Sequence, residues 1–354
     1  MDIGISRVAA PRTRFPHSET WNFSTSHELI HILKNSTSLA EDILTIRTET
    51  GPLHGEMRVV NGNNYGYISL ISNQPLFFCS KISCGSSICF TAVIDEREQI
   101  KATHYHNYSN NLLEVLDTIL TGFSKEPNFR FFHLPRGVRI FIYHCEEHKI
   151  LGALKHEGLE LDPYRTKSNT ILTTSDSVDI FRSIIQNKCN LHKSNVSSPS
   201  DTDDSKHHNI HSAIAACFKD SQEQKPIPLK MIQRHELCKD LVAWGFKNPH
   251  QLQKLEDVIR ELHTTRASLS QGCKESLGIG PMEVLKNIRL EYVHQALKNP
   301  RIQQKLDFKS VEEIRKYYGF KSRGNFAASY AKYFGEKPYT TMKYSSRKRT
   351  ALVE

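Results

Sequence analysis

The chain has 354 residues, and its 47 Lys and Arg against 38 Asp and Glu give a formal charge of +9. That length favours two domains over one. No stretch approaches the 18 uninterrupted apolar residues of a membrane span, and the N-terminus MDIGISRVAAPRTRF lacks the apolar core of a signal peptide. Cysteines at 79, 84, 89, 145, 189, 217, 238 and 273 form no CxxC pair, which argues against a zinc ribbon or disulfide framework. The expectation is a cytoplasmic protein with reduced thiols and no membrane association.

Residues 1–24 are polar and contain prolines, and read as an N-terminal arm. Residues 25–189 read as a sheet-rich domain, a barrel or sandwich with a few helices. A helix is predicted over 26–34 from Leu29, Ile30, Ile32 and Leu33. Strand-like runs follow (EMRVV, YGYISLIS, PLFFCSKI, SICFTAVID, IKATHYH, FRFFHL, VRIFIYH), separated by turn signals at 61–64, 73–75, 84–86 and 135–137. An amphipathic helix is predicted over 112–122, with Leu113, Val115, Leu116, Ile119 and Leu120. Another is predicted over 175–186, with Val178, Ile180, Phe181, Ile184 and Ile185.

Residues 190–229 form the linker, whose Ser/Asp-rich SNVSSPSDTDDSKHHN cannot bury a core. A short apolar helix at 210–218 serves either as a subunit contact or as a prop docked on its own sheet domain. A stiff Lys225-Pro226-Ile227-Pro228-Leu229 joint closes the linker.

The last third, residues 230–345 with a basic tail at 346–354, carries an internal echo. Leu255, Val258, Leu269, Cys273, Leu277-Gly278 and Pro281 recur as Val311, Ile314, Phe326, Tyr330, Phe334-Gly335 and Pro338, at an offset of 56 residues that becomes 57 partway through. Each copy reads as a helix, a tight turn, a second helix and a Gly stop before proline, the outline of a helix-turn-helix. A supporting helix with Leu237, Leu241, Val242 and Trp244 precedes the first copy. In unit one, His263 holds the turn position, Thr265 caps the next helix, and Gly272 and Cys273 lie inside it. Pro281 opens a connecting helix that ends at Asn299-Pro300. In unit two, Ser310 and Glu313 form a capping box, Gly319 makes the turn, and Gly324 lies inside the second helix. From Lys230 onward there are 24 Lys and Arg against 13 Asp and Glu, so the positive excess of the chain sits here. A polyanion would be met at this end.

These residues carry a resemblance. LEDV at 255–258, SL at 268–269, LGIGPM at 277–282, IRLE at 288–291, SVEEI at 310–314, YGFKSRGNF at 318–326 and FGEKP at 334–338 resemble the C-terminal DNA-binding domain of AraC-type (AraC/XylS) bacterial transcription regulators. The resemblance implies two helix-turn-helix units joined by a long helix, double-stranded DNA as partner, RNA polymerase as a further partner, and an activator's role. It says little about residues 1–189. That domain is expected to sense a small effector, to form a homodimer contact, or both; the rival reading makes it only a dimerisation or partner-binding scaffold.

In a helix-turn-helix the second helix enters the major groove, where its exposed side chains meet base edges. Arg266, Ser270 and Gln271 in unit one, and Arg323 and Asn325 in unit two, are of suitable type, since Arg pairs with guanine and Gln or Asn with adenine. Lys274, Lys321, Lys332, Lys286 and Arg289 suit phosphates, which fix register without reading sequence. The plain alternative for any one of them is a solvated helix face, an alternative that is much weaker for the set.

No catalytic residue, cofactor or metal is expected. His104-Tyr105-His106 looks like half a cupin motif, but Glu98 stands where glycine is needed and the next carboxylate is Glu114; His144, Glu146, Glu147 and His148 add no second ligand set. No P-loop, dinucleotide fingerprint or nucleophile elbow appears, and the chain is not read as an enzyme.

Overall fold

The computed structural model describes residues 17–36, 42–61, 65–81, 87–95, 104–108, 111–115, 119–123, 129–134, 136–160, 170–172, 203–220, 233–250 and 254–343, with most of 177–187. The expected arm up to residue 16, the linker at 190–202, the proline joint, the tail at 346–354, Cys84 and Cys189 lie outside the described residues, as do the side chains of Cys89, His104 and His106.

The N-terminal domain is a mixed β/α unit built on two main antiparallel sheets. The larger runs β1 (His17–Phe23), β3 (Gly55–Asn61), β4 (Tyr65–Ser72), β11 (Val138–Glu146), β6 (Ser87–Asp95), β9 (Ile119–Phe123), β12 (Thr170–Leu172). The smaller runs β10 (Phe129–Leu134), β5 (Leu76–Lys81), β2 (Asp42–Arg47), and β7 (His104–Tyr108) pairs with β8 (Asn111–Val115). Residues 17–23, read from sequence as part of the arm, are thus the edge strand β1, in register with β3 from His17 opposite Asn61 to Phe23 opposite Gly55. The helix expected over 112–122 is replaced, at the described residues 111–115 and 119–123, by strands β8 and β9. Short apolar runs do not separate strand from helix by periodicity, and here pairing of β9 with both β6 and β12 decides the matter.

Period-two alternation sorts the core. Ile68, Leu70, Val138 and Ile140 from the large sheet face Ile43, Leu76, Phe78 and Leu134 from the small one, and helix α1 (Ser26–Ser36) closes this layer with Leu29, Ile32 and Leu33. On the other face of the large sheet, Tyr67, Phe90, Phe141, Tyr143 and Cys145 lie under α2 (Glu147–His156) and α3 (Asp203–Asp220). Helix α3 is longer than the short helix read from sequence. Ile210, Ile214 and Cys217 on it are fully buried against this sheet, and Tyr143 Oη and His211 Nε2 are hydrogen-bonded at 2.7 Å, so the helix is docked on its own domain. The described positions of 177–187 are helical, with Phe181 and Ile185 buried but Ile180 exposed.

The C-terminal domain is all helical. It consists of a supporting α4 (Gln233–Lys247), unit one with α5 (Leu255–Glu261) and α6 (Arg266–Leu277), the connecting α7 (Pro281–Lys298), a short α8 (Pro300–Lys305), and unit two with α9 (Val311–Tyr317) and α10 (Arg323–Phe334). Unit two has its own core, in which Phe326, Tyr330, Tyr333 and Phe334 pack on Leu290, Val293 and Leu297 of α7. Unit one does not. Its core of Val258, Leu269, Cys273 and Leu277 continues through Cys238, Leu241 and Val242 of α4 into Ile46, Phe77 and Cys79, on the outer face of the small N-terminal sheet. Through α4, the core of unit one is thus continuous with the N-terminal domain.

Candidate nucleic-acid interface

The two turns reach the same geometry by different residues. His263 has φ 48°, and Gly319 has φ 76°. Each lies in the left-handed region, where glycine is unhindered and a histidine is strained. In unit one Thr264 N–H donates to Ile259 O at 3.1 Å, and in unit two Phe320 N–H donates to Arg315 O at 3.1 Å, so both first helices end on the same hydrogen-bonded stop. The recognition helices then start on hydroxyl caps: Thr265 Oγ1 accepts from Ser268 N–H at 3.1 Å, and Ser322 Oγ accepts from Asn325 N–H at 3.3 Å. One residue, Thr264, separates turn from cap in unit one, whereas Phe320 and Lys321 do so in unit two. The extra residue of the second copy therefore sits in this turn, where Phe320 packs on Phe326 with ring centroids 5.1 Å apart.

Both recognition helices, α6 and α10, are 12 residues long and end on a left-handed glycine, Gly278 and Gly335. Along α6, Arg266, Gln271 and Lys274 are exposed and Ser270 is half-buried; Lys321 just before α10, and Arg323, Asn325 and Lys332 on it, are exposed. Full burial of Leu269, Cys273 and Tyr330 on the opposite faces sets this orientation. In unit one the polar side chains are held by carboxylates. Arg266 Nη2 lies 2.7 Å from Glu256 Oε1, and Gln271 Nε2 donates to Glu275 Oε1 at 2.9 Å.

Lys286 and Arg289 on α7 fit the expected phosphate role poorly. Lys286 is paired with Glu283 at 2.6 Å. Arg289 is half-buried, its Nε donates to Leu285 O, and its guanidinium lies 5.4 Å from the centre of the Phe320 ring; burial lowers its pKa. It fastens unit two to the connecting helix.

Gly272, inside α6, has a packing role. A Cβ there would lie 2.1 Å from the backbone oxygen of Arg234, so the glycine lets α4 and α6 touch. A Cβ at Gly324 would meet nothing within 4 Å beyond its own stretch of helix, among the described residues. No signal in a single sequence separates these two glycines, because the difference lies in what packs across from them.

The N-terminal domain grips the connecting helix and unit two through one buried arginine. Arg47, at the end of β2, donates from Nε to Glu291 Oε1 of α7 at 3.2 Å and from Nη1 to Gly51 O at 2.6 Å. Its guanidinium carbon lies 3.9 Å from the centre of the Tyr333 ring at the end of α10. Gly51 N–H donates to Tyr333 O, Ser26 Oγ donates to Glu291, and Lys298 pairs with Glu28 at 2.9 Å. Burial would raise the Glu291 carboxyl, but His27, whose Nδ1 lies 3.7 Å from Oε2, and the charges of Arg47 and His294 outweigh it and hold the pKa down at about 2. Burial pushes His294 down to about 4, and its Nδ1 is hydrogen-bonded to Tyr330 Oη at 2.7 Å.

Among the described residues no group of three or more His, Cys, Asp or Glu could hold a metal ion, and no helix is long and apolar enough to cross a membrane. The five cysteines whose side chains are described, Cys79, Cys145, Cys217, Cys238 and Cys273, are buried and unbridged, and burial pushes the Cys79 thiol up, away from the reactive thiolate.

Residues 258–344 match a family model described as a helix-turn-helix domain. Solved structures similar to the chain include a probable AraC family transcriptional regulator from Rhodopseudomonas palustris, at 22% identity over 31% of this chain and 97% of that one, TM-score 0.28. A transcriptional regulator with an AraC-type DNA-binding domain from Chromobacterium violaceum is 21% identical over 31% and 92%, TM-score 0.28. ToxT from Vibrio cholerae is 13% identical over 93% of this chain and 96% of its own, TM-score 0.27. What the geometry and the family match establish together is that the C-terminal domain of this chain is a tandem helix-turn-helix domain.

Proposed function

We propose that this protein is a sequence-specific DNA-binding transcription regulator of the AraC type, acting as an activator. One observation carries the reading: two helix-turn-helix units on one connecting helix each expose polar and basic side chains on the second helix while burying its opposite face. Arg266, Ser270 and Gln271 in α6, and Arg323 and Asn325 in α10, read base edges; Lys274, Lys321 and Lys332 hold phosphates. The connecting helix has 18 residues, which at 1.5 Å each span about 27 Å. One monomer then reads two successive major grooves about 34 Å apart. Selection of bound sequences from a random duplex pool, followed by footprinting of the full chain, tests this. An asymmetric protected site spanning two grooves is expected, and protection of a single groove or the absence of any enriched sequence would defeat it.

RNA polymerase is the further partner that an activator requires. The N-terminal domain senses a small effector, or contributes a homodimer contact, and its grip on α7 and α10 through Arg47 favours it as a controlling element over a passive scaffold. Thermal-shift screening of the full chain against metabolites separates sensor from scaffold, since only a sensor is stabilised by a specific compound.

A further inference from the structure

We propose that Arg234 and Glu275 are specificity-determining positioning residues that set which way round Gln271 presents its amide to DNA. The inference rests on the DNA-binding reading above and deepens it. Gln271 Nε2 donates to Glu275 Oε1 one helical turn further along α6, at 2.9 Å. The other oxygen of Glu275 accepts from Arg234 Nε on α4. Arg234 can reach because Gly272 lets its backbone pack directly against α6. Three side chains thus run from the supporting helix to the exposed face of the recognition helix.

The chemistry fixes the direction. A carboxylate only accepts, so the amide must turn its nitrogen, not its oxygen, toward Glu275. That uses one of the two N–H donors and leaves one N–H and the carbonyl oxygen available. An adenine in the major groove presents an acceptor at N7 and a donor at N6, which is the matching pair. Without the carboxylate the amide can rotate by half a turn and offer the reverse order, and the ordering of a long side chain is then charged to each binding event. Unit two has no such device: among the described residues, the Asn325 side chain makes no hydrogen bond. Arg234, by this account, governs base preference from outside the recognition helix.

The experiment uses the full chain and its selected duplex, with all four base pairs placed in turn at the position where Gln271→Ala removes preference. Glu275→Ala should cut that preference by roughly five- to tenfold, within the range for one bidentate contact. Affinity for an unrelated duplex should hold or rise, because a negative charge has left the interface; a merely structural loss would lower both. Arg234→Met should weaken preference at the same position, and the double variant Gln271→Ala/Glu275→Ala should be no less selective than Gln271→Ala alone. Additive effects would mean that Glu275 meets a base itself, and would overturn the proposal. So would full preference in Glu275→Ala, or a Gln271→Ala variant that loses none. If the parent chain shows no sequence preference, the DNA-reading function itself fails.

Discussion

Replacing each recognition-helix glycine by alanine should move stability in opposite directions. Alanine in place of glycine favours a helix by ~1 kcal/mol, and at Gly324, where among the described residues nothing beyond its own stretch of helix lies within 4 Å of the new Cβ, no packing clash opposes the gain, so Gly324→Ala should stabilise by up to ~1 kcal/mol. At Gly272 the new Cβ would lie 2.1 Å from the Arg234 carbonyl oxygen and 3.0 Å from its carbon. These are backbone atoms that cannot swing aside, so α4 and α6 must separate by about 1 Å, an overpacking that costs ~1–3 kcal/mol. Because that separation also loosens Leu269, Cys273 and Leu241, all fully buried, we take the upper part of the range, and Gly272→Ala should destabilise by ~1–2 kcal/mol net of the propensity gain. Urea unfolding of the full chain followed by circular dichroism measures both, as shifts in midpoint of opposite sign. If Gly272→Ala stabilised as Gly324→Ala does, the close approach of α4 to α6, and the route by which Arg234 reaches Glu275, would be refuted.

Arg47→Met leaves Glu291 buried without its cation, which should cost ~3–5 kcal/mol; adding Glu291→Gln should restore part of it, and a midpoint unchanged by Arg47→Met would show that the arginine is not buried between the domains. Acid should weaken the fold in two stages. His294 and His144 have pKa values lowered by burial to about 4, so they take up protons only on unfolding as pH drops from about 6.5, and stability falls from there down to about pH 4. Glu291, held at about 2, gives stability that is full above its unfolded value near 4.5 and lost as pH falls toward 2; a urea midpoint that is level from pH 7 to 4 would contradict the burial of both histidines. For DNA, Arg323→Ala should relax preference at one base pair by ~1–3 kcal/mol. Lys332→Ala should weaken all duplexes alike and lower the slope of log affinity against log salt by ~0.9; gel-shift titrations at several salt concentrations read both, and the reverse pattern would exchange the two roles.

Local chemistry carried the C-terminal domain into view from sequence. The Ser310 cap, the Gly319 turn, the strained His263 and the Pro281 helix start each act within a few residues, and each is present in the structure. The exposed positions of α6 and α10 followed from the spacing of Leu269, Cys273, Phe326 and Tyr330. What lay beyond reach depends on contacts distant in the chain. The packing role of Gly272 was not legible because Arg234, its neighbour in space, is invisible to periodicity. Arg289 looked like a phosphate ligand because basic residues on helices usually face water. Residues 112–122 looked helical because the pairing of β9 with β6 and β12 is a property of the sheet. One missed signal was available: Leu76-Phe77-Phe78-Cys79 is apolar without alternation, the mark of a strand covered on both faces, and that strand is where the two domains join.

That strand also implies an order of assembly. Its Leu76 and Phe78 complete the sandwich core while Phe77 and Cys79 belong to the cluster that α4 shares with unit one. A chain made from its N-terminus has this surface ready well before residues 238–288 emerge, and domains generally fold in that sequence. Unit one then condenses on a finished template, whereas unit two, whose core is drawn from its own helices and α7, can close without one. A fragment begun at residue 230 should accordingly yield one well-folded unit and one with an apolar face open to its neighbours, a recipe for association through unit one. Expression of the reading domain alone calls for polar replacements at the positions that Phe77 and Cys79 would have covered.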